Sequence, residues 1–546
     1  MIIKTITLNI KGMTCEHCAK TIENALTDDG ITEKSVSYQN HNAIVSYQDE
    51  RISEKEIIGK IQKAGSYQVT DTKRITSDRN TSSHLIIIGG GSAAFAAAIQ
   101  AHELEIKVTM INDGLPIGGT CVNVGCVPSK NLIRAAEELH RAQNGKFAGI
   151  KTNGIITDFK KITEQKRELV QTLRREKYIN VVKDMENFNL IEGRAKLTSA
   201  NTVAVNGEEI RGDAILIATG AKPAIPQIPG LQESGYLTNE SAFELDEAPK
   251  DLIVIGGNYI GIENAQLFSR LGSKVTLLEM QPQIMPNEDS DVADEIRRHL
   301  ENEGIEIYTN VMTKRVYKEN NETVLDFSND GNRKTIRASH LIIAAGRTAN
   351  TSNMGLEETG LKLDERGFIQ VDEYLQSNIE GIYAAGDVTG GYMFVYTAAY
   401  EGKLSVSNAF SEIKKEADYT ALPWVIFSDP QVAGVGMDEK TAEEAGIDAE
   451  TAILELSHVP RAIAARDTRG FIKLIRNKKT DQLIGARIVA PEGSELLMEL
   501  AMAIKFGIKV EQMKEMFHPY LTLSEGIKLT AITFDKEVSK LSCCAS

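Results

Sequence analysis

The six cysteines of this chain fall into three close pairs, Cys15/Cys18, Cys121/Cys126 and Cys543/Cys544. Closely spaced sulfurs either cycle between dithiol and disulfide or grip one soft cation, because the thiolate is both nucleophile and metal ligand. The central pair lies in Gly118-Gly119-Thr120-Cys121-Val122-Asn123-Val124-Gly125-Cys126-Val127-Pro128-Ser129-Lys130. Its glycines let the backbone approach a flat ligand, and the run Asn131 to Arg141 predicts a helix behind it. Partial positive charge at a helix N-terminus lowers thiol pKa and favours the thiolate. A structural disulfide is the plainer alternative, but the glycine-rich approach and the Pro-Ser-Lys that follows favour redox function. The first pair, in Gly12-Met13-Thr14-Cys15-Glu16-His17-Cys18, brackets a helix start and suits one soft metal ion, with His17 read as solvent-exposed. The last pair stands near the chain end, a position suited to carrying an ion inward.

Two strand-turn-helix units would hold the electron carriers. Leu85-Ile86-Ile87-Ile88-Gly89-Gly90-Gly91-Ser92-Ala93-Ala94 is an apolar strand entering a G-x-G-x-x-A turn. Gly89 permits the tight turn, Gly91 the approach of pyrophosphate to a helix N-terminus, and Ala94 close packing of helix on strand. The next strand ends in Asn112-Asp113, so the ribose falls to Asn112 or Asp113. The second unit keeps Gly256 and Gly261 but has Asn258 at the middle glycine, where asparagine's tolerance of positive φ would compensate. Its second strand ends in Glu279, placed to accept from a ribose 2'-hydroxyl and to repel a 2'-phosphate, which favours NADH. Ala218-Thr219-Gly220, Ala344-Ala345-Gly346 and Ala384-Ala385-Gly386-Asp387 are further strand ends running into small-residue turns. Asp387 suits either a flavin's ribityl chain or a helix cap.

Around these motifs the chain reads as α/β and α+β modules. Residues 1–71 alternate as a ferredoxin-like βαββαβ metal-binding module, and 72–83 form a polar, flexible linker. Two Rossmann-like domains follow, the FAD-binding domain over 84–240 and 350–420 and the NAD(P)-binding domain over 241–349. Residues 421–546 form an α+β dimerisation domain carrying the Cys-Cys tail. A length of 546 residues requires several cores, and a net charge of -15 argues against a nucleic-acid partner. No apolar run is long enough to span a bilayer and no secretory pattern opens the chain, so a cytoplasmic location without membrane insertion is expected.

From Leu85 onward the dinucleotide units, the thiol pair and the Ala-Ala-Gly-Asp segment resemble the flavin-dependent pyridine nucleotide-disulfide oxidoreductases. Residues 1–71 resemble the heavy-metal-associated domains of copper chaperones and metal-transporting ATPases. Together with the tail Leu541-Ser542-Cys543-Cys544, the whole is similar to the mercury-reducing branch of the oxidoreductases. The resemblance implies a homodimer holding FAD and using NADPH, in which Hg(II) is reduced to volatile Hg(0) through Cys121 and Cys126. It implies that Cys126 contacts the flavin and that Cys121 is the more exposed. Gly119, Thr120, Thr219 and Gly220 would join the FAD site, Lys130 would stand near the ring with Glu263 as partner, and Tyr259 would cover the nicotinamide pocket. Tyr178 and Tyr520 would line the metal site. Small thiol carriers or Cys15/Cys18 would pass the ion to Cys543/Cys544, and these to the other subunit's central pair. Disulfide reductases of this family carry a proton-shuttling histidine where this chain has Tyr520, and His518 is displaced from it. Two alternatives stay open: a dihydrolipoamide-type disulfide/dithiol oxidoreductase, and a metal-sequestering flavoprotein without reductase turnover.

Overall fold

The computed structural model describes residues 3–75 and 83–538. It has the expected α/β and α+β class, and its contacts divide the chain into two compact units. The first comprises Met1–Gly119, Lys177–Ala221 and Ala349–Ala417; the second comprises Thr120–Glu176, Lys222–Thr348 and Asp418–Ser546.

In the first unit the metal module runs β1 (Ile3–Lys11), α1 (Glu16–Ala25), β2 (Ile31–Ser37), β3 (Asn42–Gln48), α2 (Glu54–Lys63) and β4 (Gln68–Ile75). Alternation along β1 buries Ile6, Leu8 and Ile10 against Ile22 of α1 and Ile57 and Ile61 of α2. The antiparallel sheet has the order β2-β3-β1-β4. Ser53 and Glu56 close a capping box that starts α2. Strand β4 continues past the expected module boundary at residue 71 to Ile75, so the linker's expected start at 72 is strand, and residues 76–82 lie outside the described residues.

The same unit contains β5 (His84–Ile88), α3 (Ser92–Glu103) and β6 (Lys107–Asn112) at the centre of a five-stranded parallel sheet. The remaining strands are Ile382–Ala384 and Ala214–Ile217 on one side and Phe188–Glu192 on the other. The unbroken apolar run of β5 is the signature of a parallel strand covered on both faces, and Leu85 to Ile88 are all buried. Helix Val395–Phe410 lies so close on α3 that a Cβ on Gly402 would stand 2.1 Å from the Ala93 carbonyl oxygen.

In the second unit, strands Glu306–Tyr308, Lys274–Leu278, Asp251–Ile255 and His340–Ile343 form a parallel sheet in that order. A separate antiparallel sheet orders Pro423–Ile426, Gln431–Gly436, Leu483–Ala490, Phe471–Asn477 and Ala449–Glu455. Here too are α4 (Gly119–Asn123, from Thr120 onward) and α5 (Cys126–Gln143). Leu132, Ile133 and Ala136 of α5 share a core with Ile262 and Ala265 of helix Tyr259–Arg270. Helix α5 begins at Cys126, earlier than the predicted Asn131, because Pro128 falls in the first turn, where a backbone N–H has no intrahelical acceptor to lose.

Candidate active site

Cys121 sits in the short α4 and Cys126 is the first residue of α5, whose N-cap is Gly125. The Cys126 thiol is pulled down to about 7, chiefly by the hydrogen bond from Cys121 and further by the charge of Lys130, against the cost of burial. Cys121, as donor to that thiolate, is pushed up. Cys126 is therefore the more acidic sulfur of the pair, and Cys121 the one that keeps its proton. In the chain alone Cys126 is exposed and Cys121 half-buried, whereas the expected order refers to the flavin-bound protein, in which the ring is expected to cover Cys126.

Lys130 lies one turn beyond Cys126 on α5, and its ammonium donates to Glu263 at 2.7 Å. It also sits 4.7 Å from the centroid of the Phe427 ring. Glu263 is buried, and its second oxygen accepts from the Phe427 backbone N–H at 3.0 Å. Both carboxylate oxygens are thus engaged, which fixes the cation on the side of α5 that carries Cys126. Phe427 went unread in the sequence because a single aromatic beyond a short strand carries no signal.

The turn expected to hold the nicotinamide coenzyme lies between Asp251–Ile255 and Tyr259–Arg270. Gly256 has φ +112, and a Cβ there would meet the Ala344 carbonyl oxygen at 2.2 Å. A Cβ on Gly261 would come within 1.7 Å of the Gly256 carbonyl oxygen. Gly261→Ala is therefore expected to cost about 1–3 kcal/mol and to weaken coenzyme binding, read by thermal melting and by titration. Asn258 has φ -101, so the anticipated positive φ is absent; it serves as N-cap, its side chain accepting from Tyr259 N–H at 2.9 Å. The middle position of this motif serves close approach rather than backbone handedness. Glu279 is buried, accepting from Gly257 N–H at 2.6 Å and Gln281 N–H at 2.8 Å. Tyr259 stacks on Trp424 at 5.5 Å between centroids and 24° between planes.

The first unit carries a second cradle of the same build. Gly89 has φ +123 and a Cβ there would stand 2.2 Å from the Ala218 carbonyl oxygen, while a Cβ on Gly119 would stand 2.6 Å from Gly91 Cα, so positions 89 and 119 admit only glycine. Ala94 is fully buried on the sheet. Asn112, at the end of β6, faces Gly90 as Glu279 faces Gly257, since a Cβ on Gly90 would meet Asn112 Oδ1 at 2.5 Å. Thr219 Oγ1 is buried and finds no partner among the described residues, and Gly220 follows it. Asp387 opens a 3-10 turn after Gly386, whose N–H donates at 2.6 Å to Glu401, a buried carboxylate that the sequence did not announce. An orphaned hydroxyl, close backbone approaches at Gly89 and Gly119 and a helix N-terminus fit a dinucleotide such as FAD.

In the metal module Cys15 is the N-cap of α1 and Cys18 lies in its first turn, with the sulfurs 3.8 Å apart. Thr14 and Tyr67 donate to Cys18 and, with Thr14's contribution the largest, bring its thiol down to about 6. His17 is exposed, as expected. Alkylation of Cys18, followed by peptide mass spectrometry, should rise with pH through about 6, because the reactive thiolate is the form present above the pKa. Tyr67→Phe should move that midpoint upward; an unshifted cysteine midpoint of about 8.5 in the unmodified chain would contradict the geometry.

Tyr178 occupies a π-helical turn, Arg175–Ile179, and packs edge-on against Phe95 at 4.9 Å within the first unit. Tyr520 is exposed in the second unit, and His518 is bonded to Glu499 at 2.7 Å. Cys543 and Cys544 lie outside the described residues. Among the described residues no helix is long and apolar enough to cross a membrane.

Residues 83–402 match the pyridine nucleotide-disulphide oxidoreductase family, 422–531 its dimerisation domain and 7–66 the heavy-metal-associated domain. The chain belongs to the pyridine nucleotide-disulphide oxidoreductases and, within them, to the mercuric reductases. Mercuric reductase of Staphylococcus aureus is 41% identical over 543 residues, covering 98% of each chain. That of Lysinibacillus sphaericus is 40% identical over 544 residues, covering 98% of this chain and 99% of its own. Among solved structures, the HOCl-induced flavoprotein disulfide reductase RclA from Escherichia coli is 30% identical with a TM-score of 0.74, covering 83% of this chain and 100% of its own. This family membership makes the chain an oxidoreductase whose family implies FAD and a pyridine nucleotide.

Proposed function

We propose that this protein reduces Hg(II) to Hg(0) with the two electrons of one NADH, as a homodimer. The observation that carries the reading is the thiol pair at the start of α5, with Lys130, bonded to Glu263, one turn beyond Cys126. Bound FAD supplies the two-electron relay between nicotinamide and sulfur. On the protein's side, Cys121 and Cys126 hold the soft dication as thiolates, and Lys130, fixed by Glu263, keeps positive charge beside them. Neutral mercury then leaves because it binds thiolates poorly. The balance is NADH plus Hg(II) giving NAD+, a proton and Hg(0).

Delivery runs from small thiol carriers or Cys15/Cys18 to Cys543/Cys544 and then to the central pair, with Tyr178 and Tyr520 lining the path. Asn112, rather than Asp113, serves the FAD ribose, Asp387 the ribityl chain, and Thr120 continues the Gly119 approach. Tyr259 covers the nicotinamide site. Met498, Met502, Phe506 and Phe517 are each more than half exposed, which supports burial against a second copy.

Anaerobic reduction by NADH followed by addition of Hg(II) tests the reading. The flavin's visible spectrum should return to the oxidised form with one Hg(0) released per NADH consumed. Coenzyme oxidation without mercury vapour would sink it. A dithiol reductase would instead turn over lipoamide, but the place of its proton-shuttling histidine is taken here by Tyr520.

A further inference from the structure

We propose that Trp424 is a positioning residue for coenzyme entry: its indole holds Tyr259 closed over the nicotinamide site, and coenzyme binding breaks the stack. The inference rests on reading Tyr259 as the cover of that site. Tyr259 is the first residue of the helix that leaves the Gly256–Gly261 turn, one helical turn before Glu263, which grips Lys130. Any group lying across that helix start therefore stands between the nucleotide turn and the thiol helix, and Tyr259 and Trp424 meet there.

The indole is held in place from several directions. Trp424 pairs across the sheet with Gly434, and a Cβ on Gly434 would stand 2.4 Å from indole Cζ2, so the ring lies flat over a strand position that has no side chain. The Arg487 guanidinium stands 5.5 Å from the ring centroid, and its Nε donates at 2.7 Å to Glu288, both side chains being buried. Glu288 belongs to the segment after Glu279, and Met285 of that segment donates from its N–H to the Gly257 carbonyl at 2.9 Å. A continuous chain of contacts thus joins the nucleotide turn, through Met285, Glu288 and Arg487, to the indole beneath Tyr259. Ring pairs of this kind are worth enough to set a closed resting position and weak enough for a coenzyme to displace.

A stack that must break on binding reduces apparent affinity by the fraction of molecules in which it is intact. In the full-length, FAD-loaded dimer, calorimetric titration with NAD+ is therefore expected to show about 2- to 12-fold tighter binding for Trp424→Ala than for the unmodified protein. Trp424→Phe, which retains a stacking ring, should stay within about twofold. In a Tyr259→Ala background, Trp424→Ala should have no further effect, whereas an indole that only supports the fold would weaken binding with or without Tyr259. Unchanged or weaker binding in Trp424→Ala overturns the proposal. Trp424 is the chain's single tryptophan, so the unmodified protein offers an independent readout should the alanine variant misfold. Its indole emission should change as NAD+ saturates, with the calorimetric Kd, and an unresponsive emission overturns the proposal equally. Tyr259→Ala alone tests the cover: if it leaves the Kd for NAD+ unchanged, that reading falls, and if it tightens binding while Trp424→Ala does not, only the role of Trp424 falls.

Discussion

Cys121→Ala is expected to abolish Hg(II)-dependent NADH oxidation, by about a thousandfold or more, while FAD remains bound. The two halves of that result come from different parts of the molecule. The residues proposed to cradle the flavin are Gly89, Gly91, Gly119 and Thr219 of the first unit, and their close approaches do not involve the Cys121 sulfur. The chemistry does depend on it twice. In the proposed mechanism Cys121 supplies the second soft ligand, and its hydrogen bond is the largest influence lowering Cys126. Removing it should raise the Cys126 pKa from about 7, so that less thiolate is present at neutral pH and alkylation of the reduced enzyme follows a midpoint displaced to higher pH. Lys130 remains and limits that displacement. The check is a pair of measurements on one preparation: mercury-dependent turnover, and the pH profile of alkylation at Cys126. Retained turnover would remove the thiol pair from the mechanism.

The features legible in the sequence were those enforced by backbone geometry. The strand His84–Ile88 and the turn after it were readable because an apolar run followed by spaced glycines has few alternatives, and the βαββαβ module because alternation in Ile3–Lys11 is strict. The helix start at Cys126 was not readable, because proline signals a break everywhere except in a helix's first turn. The role of Asn258 was misassigned for a related reason: the motif names a residue type, whereas the observed φ of -101 shows that the position caps a helix. Glu401 and Phe427 escaped notice because each acts through a partner far away in sequence, at Gly386 and Glu263. Long-range side-chain pairing leaves no periodic trace. Even at Glu279 the sequence supplied only a charge at a strand end, while the structure supplies its confinement.

That confinement makes coenzyme choice a sharp expectation: NADH should be preferred to NADPH in kcat/KM by about 30-fold or more. A surface carboxylate facing a 2'-phosphate would rotate into water and lose little. Glu279 has no such freedom, because it is buried and both of its oxygens accept backbone N–H groups, from Gly257 at 2.6 Å and Gln281 at 2.8 Å. Leaving the turn would strand two donors, and staying would confront two anions at short range. Either course costs about 2 kcal/mol, which is the factor of about 30. A ribose 2'-hydroxyl meets neither difficulty, since a carboxylate oxygen accepting one N–H retains capacity for another donor. Glu279→Gln removes the charge but keeps the shape. Its carbonyl can still accept from Gly257, while its NH2 must face the Gln281 N–H, so the turn should loosen slightly as repulsion disappears. The preference should then fall to within about threefold, mostly through improved NADPH use, because one lost donor contact is worth about 1 kcal/mol and the repulsion rather more. Steady-state kinetics with both coenzymes, on both proteins and at fixed ionic strength, decide the matter. An unmodified enzyme that favours NADPH would show that the 2'-position does not meet Glu279.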